Sequence, residues 1–211
     1  MAISLVKALL GGVLLASASW ATIIVDFGLP DSGFSQGTST TATYTETGGA
    51  KIFATGYTGT PGNTAGTATA LFAKTAGGDE EGMGLNNDGS GEHEITPGNY
   101  IQLNLSQLSL LSATTFLLSV NSSTSPDAYS IYRSTTAGVA GTLFTTGTTE
   151  TTYSFTAAQI AANPYVSLAA TGGNVLLGPA TIIQATPEPG TVFLLGTGLV
   201  LLGMRGRRSR Q

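Results

Sequence analysis

What most constrains this chain is a period of two. The segment AKIFATGYT places Ile52 and Ala54 on one side and Lys51, Phe53 and Thr55 on the other. NYIQLNLSQL sets Ile101, Leu103 and Leu105 against Tyr100, Gln102, Asn104 and Ser106. Side chains of an extended strand alternate between two faces, whereas a helix repeats every 3.6 residues. TTFLLSVNS, AYSIYRS, TTYSFT and PYVSLAA are equally short, β-branched or aromatic, and bounded by Gly, Pro, Asn or Ser. NVLLGPATIIQA reads as a strand broken at Gly178-Pro179, followed by a final strand, and TTGTTETTYSFT reads as a hairpin. The pattern predicts an all-β, jelly-roll-like β-sandwich of roughly eight to eleven strands. TAAQIAANP is the one soluble helical candidate, one or two turns ended by Pro164. Threonine suits such a fold, being β-branched with a hydroxyl for the wet face.

The two ends follow other rules. MAISLVKALLGGVLLASASWA has one positive residue, Lys7, then an apolar core, then small residues at cleavage-type spacing. It reads as a secretory signal peptide over residues 1–21, cut after Ala21. At the far end stands TPEPGTVFLLGTGLVLLGMRGRRSRQ. Pro187 and Pro189 lock the backbone into an extended peptide around Glu188. Residues 191–204 then carry no charge and no amphipathic stripe, and read as a single transmembrane helix. The run is short against the usual need for about 20 residues. Arg205, Arg207, Arg208 and Arg210 decide the reading, because they would snorkel to the headgroups and hold the C-terminus on the cytoplasmic side.

Pro-Glu-Pro, a short apolar helix and a terminal Arg cluster, in that order, closely resemble the PEP-CTERM sorting signal of Gram-negative, exopolysaccharide-producing bacteria. The resemblance implies recognition by exosortase, an integral-membrane protease-like enzyme, with Pro187, Glu188, Pro189 and the four arginines as the sorting motif. It implies an inner-membrane intermediate and delivery to the cell surface or extracellular matrix. The expected organisation is a signal peptide (1–21), a β-sandwich ectodomain (22–185) and a sorting signal (186–211). GMGLNNDG, HEI and YIQLNLSQL also resemble a pattern in the ectodomains of such proteins, which implies a jelly-roll-like architecture and little about chemistry.

The exported portion keeps only Lys51, Lys74 and Arg133 as basic residues against most of the twelve acidic ones. Such a surface repels nucleic acid and anionic lipid, so no nucleic-acid partner is expected. There is no cysteine, hence no disulfide framework and no thiol nucleophile. Half of the acidic residues lie in GGDEEGMGLNNDGSGEHEI, a stretch whose many glycines suggest a mobile loop. Asp79, Glu80, Asn86, Asp88, Glu92 and Glu94 offer the hard oxygens that calcium takes in sets of six to eight. Asn86-x-Asp88-Gly89 matches part of an EF-hand loop, but the first ligand position would be Gly84 and the twelfth Ile95, so it is not one. The bland alternative is a solvated acidic surface.

Enzyme machinery is poorly provided. His93 is the only histidine, there is no G-x-S-x-G elbow, and a zinc site would need more His or Cys. Asp88, Glu92 and Glu94 would serve a glycosidase, yet the only tryptophan, Trp20, leaves with the signal peptide. The expectation is a non-enzymatic structural or adhesive surface protein associated with exopolysaccharide. The rival is a calcium-dependent carbohydrate-binding module, with Tyr44, Tyr57, Tyr129 or Tyr132 stacking on sugar rings.

Overall fold

The structure is a computed structural model that describes residues 19–75, 80–86, 91–123 and 127–186. Its strands are β1 (Ser19–Val25), β2 (Thr41–Thr45), β3 (Lys51–Thr58), β4 (Thr67–Thr69), β5 (Leu71–Thr75), β6 (Glu81–Leu85), β7 (Asn99–Asn104), β8 (Ala113–Asn121), β9 (Ala128–Ser134), β10 (Thr142–Gly147), β11 (Thr151–Thr156), β12 (Tyr165–Gly172) and β13 (Leu176–Thr186). Thirteen described strands exceed the expected number because short edge pieces such as β4, three residues long, give no periodic signal. One six-stranded sheet runs β11-β8-β13-β6-β5, with β1 also on β13. A seven-stranded sheet runs β10-β9-β12-β7-β3-β2, with β4 on β3. The chain is thus all-β, in two sheets. The compact unit is Thr22–Gln184; the other unit, residues 1–21 with 185–211, is described only at Ser19–Ala21 and Ala185–Thr186. The expected transmembrane helix, the Pro-Glu-Pro and the arginines lie outside the described residues.

Alternation places the core between the sheets. Ile52, Ile101, Leu103, Ile131 and Leu168 of one sheet and Leu71, Met83, Phe116, Leu118 and Ile182 of the other share one buried cluster. Inner faces of two twisted sheets interdigitate in this way. On β3 the expected faces hold: Ile52 and Ala54 are buried, while Lys51 is exposed and Phe53 and Thr55 are half-buried. On β7 they hold only in part, for Tyr100 and Gln102, on the outer face, are also buried. A loop lies over them. The Tyr100 hydroxyl donates to Gly138 O (2.5 Å) and accepts from Gly66 N (3.0 Å). The Gln102 amide donates to Val139 O (2.9 Å) and accepts from Gly138 N (2.7 Å). A loop that supplies backbone donors and acceptors lets polar side chains be buried at little cost.

Three other expectations are corrected. TTGTTETTYSFT is no hairpin, since β10 pairs β9 and β11 pairs β8, in different sheets. Turn-rich threonine stretches look alike whether they reverse a strand or cross a sandwich. The last strand is not broken at Gly178-Pro179: β13 is continuous and its register on β8 shifts between Leu177 and Ala180. A bulge is where a strand tolerates a proline that cannot donate. Within the acidic segment β6 is a buried strand between β5 and β13, not loop. The expected short helix is present as α1 (Ala157–Ala162), closed by a capping box between Thr156 and Gln159.

Candidate functional site

β5 and β6 form a hairpin whose registered pairs put Lys74 opposite Gly82 and Thr75 opposite Glu81. This carries Lys74 and Glu80 to one end of the six-stranded sheet. A second segment reaches the same place through an isolated bridge: Ile95 N donates to Val175 O (2.9 Å) and Val175 N donates to Ile95 O (3.1 Å). Both bridge residues are fully buried, so the preceding Glu92-His93-Glu94 is anchored. The approach is close because β6 has no side chain there. A Cβ on Gly84 would stand 1.8 Å from the His93 carbonyl oxygen. His93 takes a left-handed backbone, φ 62°, and lays its ring on Phe72 with centroids 3.7 Å apart and planes 14° apart.

The result is a cleft of about 560 Å³ lined by Phe72, Lys74, Glu80, Gly91, Glu92, His93, Glu94 and Ser122. At its base Glu94 is 4% exposed. Its Oε1 accepts from Lys74 Nζ (3.0 Å) and from Ser122 Oγ (2.9 Å). Lys74 also pairs with Glu80. Glu92 Oε2 accepts from Asn174 Nδ2 (3.2 Å). Burial pushes the Lys74 ammonium down, but the hydrogen bonds and charges of Glu80 and Glu94 outweigh it, and its pKa is raised. A lysine therefore stands where a cation between carboxylates is expected. Next to Glu80 in the chain, Glu81 adjoins Asp26, whose charge and hydrogen bond raise the Glu81 pKa.

Of the six candidate calcium ligands, the structure brings Glu80, Glu92 and Glu94 to this cleft. Asn86 lies at the opposite end of β6, where its Nδ2 donates to Gly37 O (3.0 Å). Asp79 and Asp88 lie outside the described residues. Although three carboxylates line the cleft, no three His, Asp or Glu side chains among the described residues are grouped so that they could hold one metal ion. Of the four tyrosines considered for sugar stacking, Tyr44 is buried with its hydroxyl on Phe27 O (2.9 Å), and Tyr129 is buried with its hydroxyl on Thr149 O (2.7 Å) and Tyr153 (2.9 Å). Only Tyr57 and Tyr132 remain half-buried.

A comparison with protein families decides the address. Residues 185–208 match the family model of the PEP-CTERM protein-sorting motif. The chain carries a PEP-CTERM sorting domain. The PEP-CTERM motif implies export to the cell envelope or surface and recognition by exosortase, a membrane protein. It covers the terminal segment alone, so it assigns no chemistry to the cleft. Neither the curated proteins nor the solved structures gave a match to the chain.

Phe72, Lys74, Ser122 and Asn174 line or brace the cleft without having been singled out in the sequence. Lys74 left a trace there: it is one of three basic residues in the exported portion and sits just before the acidic stretch. Ser122 and Asn174 left none, since only the meeting of distant strand ends brings them in.

Proposed function

We propose that the exported domain is a structural or adhesive surface protein, held at the envelope or in the extracellular matrix through association with exopolysaccharide. The observation that supports this reading is the outer face of the seven-stranded sheet. Register places Phe53 of β3 opposite Asn104 of β7, and Asn104 opposite Tyr165 of β12. Two rings thus flank an amide, with anchor points about 10 Å apart at about 4.8 Å per strand. Thr43 and Thr55 fill neighbouring outer positions, and none of these outer positions carries a carboxylate although the exported portion is acidic. Rings, hydroxyls and amides are the groups that hold neutral polymer surfaces. In affinity electrophoresis through the producing strain's own polysaccharide, Phe53→Ala and Tyr165→Ala are expected to weaken retention about tenfold each, as an aromatic contact of about 1.4 kcal/mol implies. Unchanged mobility of both variants overturns the reading.

A second reading, a calcium-dependent carbohydrate-binding module, draws on the three carboxylates that share the cleft. An extracellular calcium site works at weak affinity, on the order of 0.1–1 mM. The same electrophoresis with chelator separates the two readings: the first keeps its retention and the second loses it. In either case sorting predicts cleavage near Pro187–Pro189. Intact mass of surface-extracted protein is expected to lack the Arg tail, and a species still ending at Gln211 excludes that step.

A further inference from the structure

The lateral edges of the two sheets are not treated alike. The outer edge of β5 is filled. Gly37 N donates to Leu71 O (3.0 Å), Leu71 N donates to Ser39 O (2.8 Å), and the Gln36 amide both donates to Ala73 O (2.7 Å) and accepts from Ala73 N (3.0 Å). The outer edge of β2 is taken by Asp31, whose N donates to Thr43 O (2.8 Å) and whose carboxylate accepts from Thr45 Oγ1 (2.6 Å). β10 shifts register between Leu143 and Thr145, and β4 has three residues. β1 brings only Thr22–Val25 into the compact unit. Filling, charge, bulging and shortness are the devices by which sheet edges avoid pairing with another chain.

β11 has none of them. Its six residues run in unbroken register against β8, with no charge and no proline. Among the described residues, its backbone is engaged away from β8 at the strand's end, where the Gln159 side chain accepts from Thr156 N. Thr151, Thr152, Ser154 and Thr156 are exposed. Glu150, which precedes the strand, accepts from Ser122 N (3.0 Å).

We propose that β11 is a self-association edge, to which a second copy of this chain adds its own β11 antiparallel, joining two six-stranded sheets into one. Opposed residues on paired strands share a face, which limits the register. Centred on Ser154, it sets Thr152 against the partner's Thr156 on the wet face and Tyr153 against the partner's Phe155 on the core side. The hydroxyl row already crosses β8 to β11, where Ser119 Oγ and Thr152 Oγ1 are 3.1 Å apart; the partner's strand continues it. The inference does not depend on what polymer the protein binds.

The chain has no cysteine, so one introduced thiol reports the register without interference. Mature protein recovered from the cell surface is expected to dimerise in sedimentation equilibrium. Under mild oxidation, Ser154→Cys is expected to give a disulfide-linked dimer, and Thr146→Cys on exposed β10 is not. Ser154→Lys sets two like charges against each other and is expected to weaken dimerisation about tenfold or more, with the circular dichroism of the monomer unchanged. A monomeric wild type overturns the proposal. So does equal cross-linking of the two cysteine variants, or a Ser154→Lys variant that dimerises as the wild type does.

Discussion

Lys74→Met is expected to lower stability at neutral pH by about 3 kcal/mol, as loss of one partner of a buried ion pair does. For a domain of this size that is a fall of about 6–12 °C in melting temperature. Glu94 is the reason. It is 4% exposed, and the variant leaves its carboxylate with Ser122 but without the ammonium. The difference between wild type and variant should depend on pH in a defined way. Lys74 has a raised pKa in the fold, so its contribution is complete below its unfolded value and is lost as pH rises through the folded one. A plateau around neutral pH that declines on the alkaline side is the expected profile, read from thermal melts across pH. Lys74→Met with Glu94→Gln should recover most of the loss, because the buried charge is then gone. A difference that ignores pH, or a double variant as unstable as the single one, removes the ion pair from the account. The single variant also tests the cation: with the lysine absent, Glu80, Glu92 and Glu94 face one cleft, and millimolar calcium should stabilise it more than it does the wild type.

Gly84→Ala is expected to cost a similar amount, about 3 kcal/mol, for a steric reason. The new methyl would stand 1.8 Å from the His93 oxygen, so the segment carrying Glu92, His93 and Glu94 must move off the sheet. Overpacking of this kind costs about 1–3 kcal/mol and occasionally more. The cleft supplies a readout that general destabilisation does not. The stack of His93 on Phe72 should open, and the ring-current shift of the His93 protons, the only histidine signals in the chain, should collapse. A Gly84→Ala variant with native melting and an unchanged histidine spectrum would show that the segment yields freely and that the glycine is incidental.

The residues themselves determined the fold class, the exported address and half of the cleft. Alternation along β3, β8 and β9 marks strands because the pleat has a period of two and one face must leave water. The terminal motif is legible because prolines, an apolar run and arginines act locally, through backbone stiffness and transfer free energy. Glu80, Glu92 and Glu94 could be selected because charge is scarce in this chain. What the tertiary structure decided is long-range. The acidic segment's glycines suggested a mobile loop; in the fold Gly84 admits a neighbouring backbone and β6 is buried. The carboxylates suggested an ion, and a lysine from the adjacent strand occupies their midst. Gln102 and Tyr100 looked outward by period and are covered by a loop more than thirty residues away in sequence. β10 and β11 looked like one hairpin and belong to two sheets. Each difference has the same physical origin: periodicity and composition report what a segment prefers beside water, whereas its partners are set by which distant strands close the sandwich.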